Sequence, residues 1–161
     1  MFRSPTCTER DRRAAQELAE IAGITDMEQY AKQMFRAGSD LKGKTPDEIL
    51  YQDFKLFNLE NMSFGVGQIS SMDEEELEKI EEQMQGTLKE ALKKQKVDMI
   101  FLMLTNILDQ STELLFSGEA AKKLVERVAG REIQGSSVYL RNVVSRKKQF
   151  IPSLISVMQN Q

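Results

Sequence analysis

The sequence predicts an α/β domain: a mixed sheet of roughly five strands flanked by helices and preceded by short N-terminal helices. Three observations carry this expectation. The segment Asp73 to Lys94 repeats its apolar residues at helical spacing, with Leu77, Ile80, Met84, Leu88 and Leu92 on one stripe. Soon after it, "VDMIFLMLTNIL" is a continuous apolar run, the pattern of a strand buried on both faces in the middle of a sheet. Around these two, helical and strand patterns follow in the order three short helices, strand, strand, helix, strand, strand, helix, strand, helix.

The N-terminal helices are marked by their ends. In "SPTCTERDRRAAQELAEIAG", Thr8 can cap, Asp11 stands three residues beyond it, and Gly23 is a stop; Ala14, Leu18, Ile21 and Ala22 form the apolar stripe. A second helix is expected from Asp26 to Ala37, with Met27, Tyr30, Ala31, Met34 and Phe35 inward and Gly38 at its end. After the polar loop "GSDLKGKTP", Thr45-Pro46-Asp47-Glu48 opens a third, with proline in its first turn.

From Asp53 the texture changes to strands. "DFKLFNLENMSFGVGQIS" predicts a hairpin turning near Glu60-Asn61, with Phe54, Leu56 and Asn58 on one face of its first strand and Lys55 and Phe57 on the other. The "GVG" of this segment lies inside a predicted strand and lacks the third glycine of a nucleotide fingerprint, so close backbone packing is the better reading. The long helix has acidic residues Asp73 to Glu76 at its start and Lys89, Lys93 and Lys94 toward its end, which complements the helix dipole. Coiled-coil pairing is the sharper alternative for its stripe, which covers only about three heptads and is weakened by Gly86. Beyond the apolar run, "DQST" is a polar break, "ELLFSG" a strand, Glu119 to Ala129 a helix ended by Gly130, and "VYLRNVV" the last strand. A closing helix then has Pro152 in its first turn. The expected division is an N-terminal helical segment, 1–52, and an α/β core, 53–161, together making one domain.

Composition limits the chemistry. The chain has 161 residues, 40% of them hydrophobic and 29% charged, with a net charge of -3 and a pI near 5.2. That balance argues against a nucleic-acid partner, which needs a broad cationic surface. No apolar run approaches the ~18 residues of a membrane span, and "MFRSPTCTERDRR" has no secretory hydrophobic region, so a cytoplasmic location is expected. The lone Cys7 cannot form an internal disulfide. There is no histidine, which removes Ser-His-Asp and Cys-His catalysis, His-ligated zinc and imidazole bases together. The acidic residues show no spacing of a metal site.

One stretch stands against the acidic background. "VVSRKKQFIP" places Arg146, Lys147 and Lys148 where a strand gives way to a helix, and ligands of open α/β sheets tend to sit beyond strand ends. An arginine fork can grip two phosphate oxygens, a lysine adds a mobile point charge, and backbone N–H groups at a helix start complete an anion cradle. The bland reading, which local physics favours over the cradle, is that three solvated cations keep the segment polar. Lys55, alone on a half-exposed strand face, and Lys42 and Lys44, in a polar loop, read as solvated charges.

"VVSRKKQFIP" resembles the C-terminal signature of the manganese-dependent, family II inorganic pyrophosphatases of the DHH phosphoesterase superfamily. "FRSPTCTERDRRAAQELAEIAG", "AGSDLKGKTPDEILYQDFKLF", "FGVGQI" and the long apolar strand fall in the same order, so the resemblance runs from end to end. It implies an enzyme whose two domains close over pyrophosphate and hydrolyse it to two phosphates, with manganese or magnesium held by the N-terminal one. It further implies that Arg146, Lys147 and Lys55 contact phosphate oxygens, that Ser145 shapes the loop, and that Lys148 and Gln149 support it. The family's His-Asn-Pro-Asp-type and Asp-His-His metal motifs are absent from these residues. The expectation is therefore a C-terminal pyrophosphate-binding domain, with Met1 an internal residue, no catalytic or metal-ligating residue of its own and no hydrolase activity alone. The resemblance implies an intact homodimer formed mainly through the N-terminal domain and a monomeric fragment. The equivalent domain of an exopolyphosphatase, or a non-catalytic module binding an acidic or nucleotide partner, are the alternatives.

Overall fold

A computed structural model describes residues 7–38, 41, 43–59 and 61–160. Residues 1–6, loop positions 39, 40 and 42, Glu60 of the hairpin turn and the side chain of Phe35, each part of an expectation above, lie outside the described residues. The chain divides into two units, residues 1–40 and 41–161.

The first unit holds α1 (Glu9–Ile21) and α2 (Met27–Gly38). Thr8 and Asp11 form the capping box the sequence predicts: Asp11 N donates to Thr8 Oγ1 at 3.3 Å, and Thr8 N donates to Asp11 Oδ2 at 2.8 Å. These bonds hold the Asp11 carboxyl below its ordinary range. The expected inward stripes differ. Leu18, Ile21, Tyr30 and Met34 are exposed, because two short helices cannot enclose a core between them.

In the second unit the elements run α3 (Pro46–Tyr51), β1 (Phe54–Leu59), β2 (Met62–Ser71), α4 (Glu74–Gln95), β3 (Met99–Asn106), β4 (Ser111–Ser117), α5 (Ala121–Ala129), β5 (Ser137–Arg141) and α6 (Ile151–Gln159). A π-helical turn, Arg146–Phe150, runs directly into α6. The strands form one sheet in the order β1-β2-β3-β4-β5. Only β2 and β3 are parallel, and the crossover that a parallel pair requires is α4. The sheet is therefore mixed, as expected.

Helices cover both faces. On one, Ile49 and Leu50 of α3 and Leu77, Ile80, Met84, Leu88 and Ala91 of α4 pack on Ile69, Ile100, Leu102, Leu104 and Leu115. The stripe of α4 is thus spent on the sheet, each large side chain contributing about 1.5–3 kcal/mol, and the coiled-coil alternative has no role for it. On the other face, Leu124, Val125, Phe150, Ile151, Leu154 and Met158 cover Phe64, Val66, Phe101, Met103 and Leu114. The central β3 is buried from Met99 through Thr105, which places the apolar run where its sequence predicts. The alternating glycines of β2 have a steric reason: a methyl at Gly65 would run into the Phe54 ring, and one at Gly67 would lie 3.1 Å from both Leu50 O and Leu102 Cδ1.

Several boundaries differ from expectation, among them the start of α5 at Ala121 rather than Glu119. β4 starts at Ser111, so the polar "ST" belongs to the strand, and β5 stops at Arg141, followed by Asn142 at φ +60. No helix of the described residues is long and apolar enough to cross a membrane.

Candidate functional site

Arg146 of the basic run reaches the β1–β2 hairpin that carries Lys55. The basic run is itself helical: Ser145 caps it, its Oγ accepting from Lys148 N at 3.1 Å, and Phe150 N reaches back to Ser145 O at 3.1 Å. A π-helical turn widens the backbone ring, and such turns recur at functional sites. Lys147 and Lys148 are exposed on it, while Arg146 turns inward and is 8% exposed.

Arg146 reaches across to the first hairpin. Its Nη1 donates to Asp53 O at 2.7 Å and to Val66 O at 3.1 Å, and its Nη2 donates to Asp53 Oδ1 at 2.8 Å. Val66 is the register partner of Lys55. Arg146 and Lys55 therefore flank one rung of the β1–β2 pair, although 91 positions separate them (146 − 55). Lys55 is exposed, as is the adjacent Asp53.

The three bonds leave a defined remainder. A guanidinium has five N–H donors in one plane. Nη1 serves two carbonyls and Nη2 one carboxylate oxygen, so the other Nη2 proton and the Nε–H remain, side by side on one edge. None of the described residues accepts from that edge. Two parallel donors are the fork that binds two oxygens of one phosphate. Asp53 thus both neutralises Arg146 in part and leaves that edge without a bond among the described residues.

Gln149 holds the approach to the turn. Its Oε1 accepts from Val144 N at 2.9 Å and Ser145 N at 3.0 Å, and its Nε2 donates to Asn142 O at 2.7 Å. On the opposite edge, Gln68 Nε2 donates to Val144 O at 3.0 Å and Thr112 Oγ1 to Val143 O at 2.6 Å. The structure therefore brings Arg146 and Lys55 onto one rung, sets Lys147 and Lys148 on the exposed side of the turn, and gives Ser145 and Gln149 backbone-holding bonds. Among the described residues, no group of three or more His, Cys, Asp or Glu side chains could hold a metal ion.

A family model described as the DHHA2 domain matches residues 32–157. The chain belongs to the DHHA2 domain family. Its relatives include a manganese-dependent inorganic pyrophosphatase of Methanothrix thermoacetophila, 40% identical over 160 residues, which cover 99% of this chain and 51% of the relative. A second, the manganese-dependent inorganic pyrophosphatase of Methanocaldococcus jannaschii, is 36% identical over 96% of this chain and 50% of its own length. A crystal structure from Methanococcus jannaschii assigned to the family II inorganic pyrophosphatases superposes with a TM-score of 0.79 at 35% identity, over 98% of this chain and 51% of that one. This DHHA2 chain spans about half the length of the relatives it matches, corresponding to their C-terminal half.

Within the DHHA2 domain, four residues at the site were not singled out by the sequence. Asp53 stands two residues before Lys55 in "DFK", but nothing local pairs it with an arginine 93 positions on. Gln68, Thr105 and Thr112 come from three strands; the available signal was a polar residue, Thr105, closing the apolar run of β3.

Proposed function

We propose that this chain is the pyrophosphate-gripping half of a manganese-dependent inorganic pyrophosphatase, which converts diphosphate and water to two phosphates. The observation that supports the reading is the hold on Arg146: fixed by Asp53 and Val66, it keeps its Nε–Nη2 edge free of any acceptor among the described residues, next in sequence to the exposed Lys147 and on the hairpin rung of the exposed Lys55. Arg146 takes two oxygens of one phosphoryl group in a fork, and Lys147 and Lys55 neutralise the remaining charge of substrate and leaving phosphate. Ser145 and Gln149 shape the turn, and Lys148 adds positive potential at its rim.

Manganese does not fit these residues. The side chains offered to the ligand are cationic, and they would repel a divalent ion rather than bind it. The metal ions belong to the portion of the relatives' length that this chain does not span, and the isolated chain hydrolyses nothing.

Calorimetric titration of the chain at low salt tests the reading. Pyrophosphate is expected to bind weakly, more tightly than inorganic phosphate, with affinity that falls as salt rises and falls again in Arg146→Ala and Lys147→Ala. Tight binding unchanged by both substitutions would misplace the site. Manganese-dependent phosphate release that survives rigorous purification would contradict the predicted inactivity.

A further inference from the structure

The backbone between β5 and the basic turn, residues 142–145, is gripped by side chains on both of its edges. One edge belongs to Gln149, described above. The other belongs to a hydrogen-bond chain whose direction follows from counting protons. Thr112 has a single hydroxyl proton, and it goes to Val143 O at 2.6 Å. In its 2.9 Å contact with Thr105, Thr112 must therefore accept, and Thr105 donates. Thr105 in turn accepts from Gln68 Nε2 at 3.0 Å. The second amide proton of Gln68 reaches Val144 O at 3.0 Å.

The chain thus starts on β2, crosses β3 to β4, and ends on the two consecutive carbonyls ahead of Ser145. No donor in it is spare. Thr105 and Thr112 are 1% and 0% exposed, in a sheet interior that is largely apolar. Valine would fill the same volume there without a polar group to satisfy, so packing alone does not account for two threonines and a glutamine on adjoining strands.

We infer that Gln68, Thr105 and Thr112 are positioning residues that set the register of residues 143–144, and through it the place of Arg146 and Lys147 against the phosphate. The inference rests on the pyrophosphate reading of that turn. A slip of one residue along this strip would carry Arg146 away from its carbonyl partners by up to about 3.6 Å, the reach of one residue. Fixing two adjacent carbonyls from the sheet, and the N–H groups of Val144 and Ser145 from Gln149, blocks that slip.

The test compares Thr112→Val, Thr112→Ser and Gln68→Met in the 161-residue chain, with Lys147→Ala as reference, by amide hydrogen exchange, thermal unfolding and pyrophosphate calorimetry. In Thr112→Val, exchange is expected to quicken selectively at Val144, Ser145 and Lys148, and pyrophosphate affinity to fall about tenfold, the worth of one well-placed hydrogen bond. Thr112→Ser keeps the hydroxyl and restores both. Gln68→Met, at a partly exposed position, gives the same loss and serves if Thr112→Val fails to fold. Loss of affinity in Lys147→Ala with none in Thr112→Val or Gln68→Met overturns the positioning role and leaves the site standing. Equal losses in Thr112→Val and Thr112→Ser overturn it as well, since the hydroxyl would not be the agent. Unchanged affinity in all the variants, Lys147→Ala included, refutes the pyrophosphate reading itself.

Discussion

Replacing Arg146 and Lys147 separately by alanine divides two roles that adjacent cations combine. Arg146→Ala removes the donors to Asp53 O, Val66 O and Asp53 Oδ1. The Val66 carbonyl lies in the core side of β2, and the arginine side chain is 10% exposed, whereas the Asp53 side chain is 52% exposed and can be rehydrated. The carboxylate bond is therefore discounted for solvent, and the loss is set mainly by two carbonyls that each lose a charged donor, Asp53 O keeping the Gln68 N–H at 3.1 Å. Taking about 1 to 1.5 kcal/mol for each gives a destabilisation of about 2 to 3 kcal/mol. Lys147→Ala, at an exposed position with no partner among the described residues, should change stability by less than about 0.5 kcal/mol. Urea unfolding without ligand, followed by circular dichroism, measures both. Arg146→Lys adds a control: it keeps a charge near Asp53 and recovers part of the stability, yet lacks the planar fork, so pyrophosphate affinity stays low. If Arg146→Ala unfolds at the same urea concentration as Lys147→Ala, the bonds to Asp53 and Val66 do not fix the guanidinium, and the argument from its open edge collapses.

Two further outcomes follow from the packing and the charges. Gly65→Ala drives a methyl into the Phe54 ring and should lower stability by about 1 to 3 kcal/mol, read by thermal unfolding, with parental stability showing that the ring moves aside freely. Glu113 is half-buried on β4, and burial, reinforced by nearby Glu81, raises its carboxyl pKa against the opposing pull of Ser137 and Arg131. Because the folded-state pKa lies above the unfolded one, its favourable contribution is complete below the unfolded value and is lost as pH rises through the folded one. Glu113→Gln should therefore gain on the parent chain as pH rises through the carboxylate range toward neutrality; urea unfolding at several pH values showing a constant difference would refute it.

Much of the architecture was legible because its signals are local. The Thr8–Asp11 box spans four residues, the opening of α3 is marked by Pro46 in its first turn, and α4 declares its buried side within its own sequence. The unbroken apolar run of β3 requires cover on both faces and so predicts the middle of a sheet. Burial of α1 and α2 was not legible in this way, since an apolar stripe states what a helix could bury and not what is there to receive it. The basic turn was legible as a charge anomaly, yet its π-helical form was not. Its supports were hidden for a different reason: Asp53 lies 93 positions from Arg146, and Gln68 lies 76 from Val144. Such pairs exist only once β1 and β2 are set beside the strip that follows β5.

In the proposed function, one rung of the first hairpin and the π-helical turn together grip pyrophosphate. Amide NMR spectra of the isotopically labelled chain, titrated with pyrophosphate at low salt, test it most directly. Shifts are expected to concentrate at residues 145–149 and at 53–55, to weaken in Lys147→Ala and to be smaller with inorganic phosphate. Shifts centred elsewhere, such as the acidic opening of α4 around Glu75 and Glu76, or none at millimolar ligand, would contradict it.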